Sequence, residues 1–231
     1  MTPLVLIPGM MCDARLFGPQ IGALSGQRSL MLAPITAHDT VEKLAADVLA
    51  TAPPKFALAG LSMGGIVAME ILRQAPDRVN RIALLDTNHL AENDAVKVRR
   101  KPQMDKVADG GLEAVMRDEM KPNYLTDGPD RGQILDLCLD MALALGPDVF
   151  LRQSRALMTR PDQSDTLANA RLPTLVLCGV EDALCPVGRH KAMHQLVPNS
   201  KLEVIEKAGH LPTLEQAEQT TAALNRWLEE P

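Results

Sequence analysis

A chain of 231 residues, 46% of them hydrophobic, can build one sizeable core and still carry an inserted subdomain. The net charge of -5 argues against nucleic acid as the main partner, and no apolar run reaches the ~20 residues that cross a bilayer, so no membrane partner is expected. The N-terminus lacks the basic region and apolar length of a secretory signal, and Cys12, Cys138, Cys178 and Cys185 form neither a C-x-x-C pair nor a disulfide framework; a soluble, cytoplasmic protein in a reducing compartment is expected.

Residues 4–7 are a short apolar run, as in a strand buried on both faces, and Pro8-Gly9-Met10-Met11 breaks it. Asp13 can cap a helix carrying Leu16, Ile21 and Leu24, and residues 29–33 read as a second strand. Asp39, with Glu42 three positions on, is expected to form a capping box for a helix with Val41, Leu44 and Val48 on one face. Pro53-Pro54 ends that helix before a third strand at Phe56. Residues 56–70 then read as a strand, a tight turn and a helix, with Gly60-Leu61-Ser62-Met63-Gly64 at the turn. A G-x-S-x-G sequence between strand and helix lifts the serine oxygen clear of the sheet. It also leaves the first N–H groups of the helix beside that oxygen. Residues 81–86 form another buried strand. Strands alternating with helices of this length imply a parallel sheet with helices on both faces.

The alternation fails over 89–172. Helical stretches replace strands at 94–107, 111–120, 133–145 and 147–158, with Gly146-Pro147 stopping one helix and starting the next. This segment is expected to be a helical cap inserted between core segments 1–88 and 173–231. The strand pattern returns at 174–179, Pro186 opens a helix toward Leu196, and 201–205 is the last strand. Thr213 and Gln216 are expected to form a capping box for a closing helix that turns Leu214, Ala217, Thr221, Leu224 and Leu228 inward.

A serine hydroxyl needs a base to take its proton and a third group to orient that base. His210 follows the last strand, in Ala208-Gly209-His210-Leu211, at the same end of the sheet as Ser62; His89, after the strand at 81–86, is the rival base. Asp182 lies just past the strand at 174–179 and Asp86 just past the strand at 81–86, so either can orient the histidine, with Asp182 favoured. His190 and His194 stand at i, i+4 and read as a solvated helix face; a metal pair would need a third ligand that the sequence does not offer, and no metal or cofactor is expected.

The order Ser62, Asp182, His210 and the marks Gly60-Leu61-Ser62-Met63-Gly64-Gly65, 179–182 and Gly209-His210-Leu211 resemble the α/β-hydrolase superfamily over nearly the full length. Within it the chain is most similar to small bacterial carboxylesterases, which include pimeloyl-carrier-protein methyl ester esterases and related enol-lactonases. The resemblance implies an oxyanion hole from the backbone N–H groups of Met63 and Met10. It also implies an acyl-enzyme route to carboxylic ester hydrolysis. The family sheet usually has eight strands, and this chain starts at what would be the third, so about six are expected. Pro8-Gly9 stands where the family usually has His-Gly; a loop that donates through its backbone keeps its function without the histidine.

Met10, Met11, Met63 and Leu211 flank the reacting atoms in sequence, and Tyr124 in the cap is a further candidate contact. Methionine makes an adaptable apolar wall, and an aromatic content of 2% argues against a stacking pocket, so a short or medium aliphatic acyl group is expected. The basic run 97–101 reads as a solvated helix face that could also dock an acidic carrier protein or a substrate carboxylate. Lactone opening, C–C bond hydrolysis, acyl transfer and perhydrolysis are alternatives on the same residues. A hydrolase-fold binding protein without turnover is the alternative of a different class.

Overall fold

A computed structural model describes residues 1–229. Six strands form one all-parallel sheet in the order β2-β1-β3-β4-β5-β6, from β1 (Leu4–Ile7), β2 (Leu30–Leu32), β3 (Phe56–Leu61), β4 (Val79–Leu85), β5 (Thr174–Gly179) and β6 (Ser200–Ile205). Successive side chains of a strand point to opposite faces, and here both faces are covered. Leu4 and Leu6 pack with Leu16, Phe17, Leu24, Leu224 and Trp227 on one side; Val5 and Ile7 pack with Leu44, Val48, Ile66 and Val67 on the other. Two covered faces are why β1 and β3 read as unbroken hydrophobic runs.

Helices α1 (Gly18–Leu24), α2 (Val41–Thr51) and α3 (Met63–Gln74) connect the first strands. Between β4 and β5 the described chain is helical: α4 (Asp94–Ala108), α5 (Leu112–Ala114) running into a π-helical turn over Val115–Met120, α6 (Arg131–Leu145), α7 (Pro147–Met158) and α8 (Ser164–Ala168). The short α8 carries no long periodic pattern and is not evident from sequence. It puts Leu167 into the core, in the cluster that also holds Met69 of α3. The chain closes with α9 (Val187–Leu196), α10 (Pro212–Glu215) and α11 (Ala217–Glu229). Among the described residues no helix is long and apolar enough to cross a membrane.

Three local expectations need correction. The cap of α2 is Thr40, whose hydroxyl accepts the Lys43 N–H at 3.3 Å, and not Asp39; Val41 must be the first helical residue to be buried with Leu44, Ala45 and Val48, so Glu42 falls one position short of a capping box. Thr213 lies inside α10, because Pro212 takes the first helical position it favours. The break at Gln216 then resets the phase of α11, which buries Thr220, Ala223, Leu224, Trp227 and Leu228 rather than the face through Ala217 and Thr221. The third correction is His190, which is fully buried and not on a solvated face.

The sheet first grows from β1 to β2 on one side, then to β3 on the other. A parallel sheet that reverses this way opens a crevice at the carboxyl ends of the two strands flanking the reversal. The register Ile7↔Gly60 places the loops after β1 and β3 side by side at that crevice.

Candidate active site

Ser62 occupies the crevice at the junction of β3 and α3. Its backbone is held at φ 55, ψ -117, a region a non-glycine residue enters at a cost of about 1–3 kcal/mol. The surroundings enforce it. The Ser62 N–H donates to the Leu85 carbonyl at 2.9 Å, and the Ser62 carbonyl accepts from the N–H groups of Gly65 and Ile66 and from the Thr87 hydroxyl at 2.6 Å. The turn closes only because its glycines lack side chains: a Cβ on Gly60 would stand 2.2 Å from the Gly64 carbonyl oxygen, and one on Gly64 would stand 2.1 Å from that of Ile7.

The loop after β6 brings His210 to Ser62, with Nε2 2.9 Å from Oγ, while Nδ1 lies 2.9 Å from Asp182 Oδ2. Asp182 sits just beyond β5. Its other oxygen accepts the N–H groups of Leu184 at 2.8 Å and Cys185 at 2.9 Å. Burial alone would raise this carboxyl, but the adjacent His210 ring and those two N–H groups outweigh it and hold Asp182 below its ordinary range. The rival Asp86 is fully buried at φ 42, accepts the Gly179 N–H at 2.9 Å, and leaves Oδ2 without a partner. Burial, and then the Asp182 charge, push Asp86 well above its ordinary value. The two carboxyls are therefore driven apart: Asp182 is pushed toward its charged form and Asp86 toward its neutral one. The rival base His89 is buried with Nδ1 unpartnered, and Ser62 bonds to His210 instead.

Several supports of this arrangement are invisible in the sequence. Glu215 of α10 accepts the N–H groups on either side of His210, from Gly209 at 2.9 Å and Leu211 at 3.1 Å, and the His210 N–H donates to the Tyr124 carbonyl at 2.7 Å. His190 Nε2 accepts the Thr87 N–H at 3.1 Å, so the ring carries its proton on Nδ1 and fixes the residue whose hydroxyl holds Ser62. Gln153 of α7 accepts the Met11 N–H at 2.8 Å and donates to the Ile35 carbonyl at 2.9 Å, pinning the loop after β1 from above. Glu215 has one local signal, its place five residues after His210; Gln153 and His190 carry none.

A cavity of about 520 Å³ opens over Ser62 and His210. Met10, Tyr124 and Leu211 line it, and the Tyr124 ring stands 6.1 Å from that of His210. Met63 is buried at the start of α3, where its N–H belongs to the first-turn donors that have no intrahelical partner. Met11 is fully buried in the core at φ 55 and does not line the cavity. The ligating atoms of Asp182, Cys185 and His210 lie within 4.8 Å of one another. They suit a metal poorly. His210 and Asp182 already bond to each other, and burial keeps the Cys185 thiol well above its ordinary pKa, so it is not the thiolate a metal takes.

A parallel sheet covered on both faces, with a strained serine at a strand–helix junction bonded to a histidine and a carboxylate, defines the architecture of α/β hydrolases. Residues 4–224 match the alpha/beta hydrolase family, and the chain belongs to it. Relatives of esterase type are among the similar proteins. The chain is 26% identical over 175 residues to the pimeloyl-[acyl-carrier protein] methyl ester esterase of Neisseria meningitidis serogroup B / serotype 15 (strain H44/76), a match covering 74% of this chain and 67% of that protein. It superimposes on a thermophilic esterase from Thermogutta terrifontis, solved with malate bound, with a TM-score of 0.91 and 29% identity over 99% of this chain and 89% of that one. The enol-lactonase from Burkholderia xenovorans LB400 shares the fold, with a TM-score of 0.89 and 22% identity over 99% of this chain and 92% of that one.

Proposed function

We propose that the protein is a serine carboxylic-ester hydrolase of the acyl-enzyme type. The observation that carries this reading is the pair of 2.9 Å contacts running from Ser62 Oγ through His210 to Asp182 at the floor of the cavity. His210 takes the Ser62 proton as the hydroxyl attacks the ester carbonyl. Asp182 holds the imidazole in the tautomer with its proton on Nδ1 and balances the cation that forms. The N–H groups of Met63 and Met10 receive the oxyanion, each such donor contributing about 3 kcal/mol to the barrier. The alcohol leaves with the proton from His210, and water activated by the same ring then frees the acid.

In this reading residues 89–172 are the cap and residues 1–88 and 173–231 the core. The mixed wall of Met10, Leu61, Ile66 and Leu211 suits a small or medium aliphatic acyl group. The names of the relatives favour an ester as substrate. Among the described residues no disulfide joins Cys12, Cys138, Cys178 or Cys185, which fits a cytoplasmic setting. Docking of an acidic carrier protein on residues 97–101 gains less support, because Lys97, Arg100 and Lys101 are each paired with a nearby acid.

The test is fluorophosphonate labelling together with hydrolysis of p-nitrophenyl butyrate. The wild type should label at Ser62 and turn over. Ser62→Ala should lose labelling and lower kcat by about 10⁶-fold, with the fold retained. Turnover that survives Ser62→Ala undiminished would end the reading.

A further inference from the structure

The cavity over Ser62 carries more positive charge than ester hydrolysis needs. Four arginines line it, Arg99, Arg100, Arg160 and Arg189, against two carboxylates, Glu92 and Glu119. Glu119 is already met by Lys106 at 2.5 Å and by Gln103 at 3.1 Å. Glu92 is buried between two guanidiniums, with Arg100 Nη2 2.9 Å from one oxygen and Arg160 Nη2 3.0 Å from the other. One carboxylate between two arginines leaves a unit of positive charge, and it does so where the Arg100 and Arg160 side chains are only 13% and 8% exposed. Arg189, half-buried on α9, adds to it. Arginine cannot shed its proton to relieve such a field, so an anion must answer it.

The unused donors point the same way. A guanidinium has five N–H groups and no acceptor. Arg100 Nε is buried without a partner, and Nη1 faces the Met10 thioether at 3.8 Å, a weak acceptor. Met10 is also the residue whose N–H is assigned above to the oxyanion. The guanidinium therefore stands one methionine side chain from the carbonyl that Ser62 would attack.

We propose that this end of the cavity is a carboxylate subsite formed by Arg100, Arg160 and Arg189, and that the substrates are esters carrying a free carboxylate a short aliphatic chain away, such as half-esters of dicarboxylic acids. The planar fork of a guanidinium matches a carboxylate edge-on, which gives direction as well as charge. The inference rests on the ester-hydrolase reading and names its substrate class.

The test compares monomethyl glutarate, adipate and pimelate with methyl esters of chain-matched monocarboxylic acids, followed by acid release at low salt. At least one half-ester should show a kcat/KM at least tenfold above its neutral partner, with the advantage shrinking as salt rises. Arg189→Gln, which leaves the Glu92 pairs in place, should lower that ratio at least fivefold through KM, and Arg100→Met should lower it further. Calorimetric titration of Ser62→Ala protein with adipate reads the subsite without turnover and should show binding that weakens at least fivefold when Arg189→Gln is added. Equal kcat/KM for every pair in a preparation that labels with fluorophosphonate would overturn the carboxylate subsite and leave the hydrolase reading standing. Adipate binding with no labelling would do the reverse. Inorganic phosphate binding more tightly than adipate, or an advantage confined to carrier-linked esters, would likewise overturn the proposal.

Discussion

Asp86 and Asp182 show how two residues of one type, at the ends of neighbouring strands, have their acidities pushed in opposite directions. Asp182 gains a histidine and two N–H groups; Asp86 gains one N–H and the negative field of Asp182. Asp182→Asn removes the carboxylate bonded to His210 and should lower kcat about 10⁴-fold. Asp86→Asn replaces a carboxyl already pushed toward its neutral form by a neutral amide and should stay within about tenfold of wild type. Steady-state kinetics on p-nitrophenyl butyrate reads both; equal losses would show that the carboxyls share the task. The sequence placed both aspartates just past a strand and could rank them only by analogy, because the difference between them lies in what faces each side chain.

At the scale of elements, the serine turn and the loop after β1 differ in how they are held. The close approaches that shape the turn are mostly between near neighbours, Gly60 against Gly64 and Gly65, with Gly64 lying against Ile7 and Pro8, which is why it could be read directly. The Met10–Met11 loop depends on Gln153 from α7, 142 residues away. Gln153→Leu keeps the bulk but leaves the Met11 N–H and the Ile35 carbonyl unpaired, at about 1–3 kcal/mol for each. It should lower kcat about tenfold by loosening the loop that carries Met10, the proposed oxyanion donor, more than it raises KM. Chemical denaturation and steady-state kinetics on the same preparation check the two effects; an unchanged kcat would release the loop from this role. The misread helix starts belong to this scale too. Aspartate is the better N-cap of the two, and the need to bury Val41 selects Thr40 over Asp39.

The whole molecule also records its buried groups in its response to pH. Burial lowers His190 to about 4, from an ordinary value of 6.5. The unfolded chain therefore takes up this proton first, so the His190 contribution is complete above pH 6.5 and is lost as pH falls toward 4, by about 3 kcal/mol in all. His89, also lowered by burial, acts in the same direction. Asp86 and Glu215, raised chiefly by burial, act oppositely, since their contribution grows as pH falls. The difference in urea stability between wild type and His190→Gln cancels the groups common to both. It should narrow by about 3 kcal/mol between pH 7 and pH 4. A difference that stays flat would mean that the ring titrates alike in the folded and the unfolded chain.

What the sequence determined by itself was whatever is encoded between near neighbours. The apolar runs of the inner strands, the glycines that permit the turn around Ser62, and the loop positions of Asp182 and His210 are all local, and together they pointed to the family. Packing alone decided the rest: that His210 rather than His89 meets Ser62 across 148 positions, that Asp182 and not Asp86 meets His210, that Met11 belongs to the core, and that Glu92 gathers Arg100 and Arg160 beside the cavity. The physical reason is common to all of them. A side chain's protonation, partners and solvent exposure are set by groups that folding brings from distant parts of the chain.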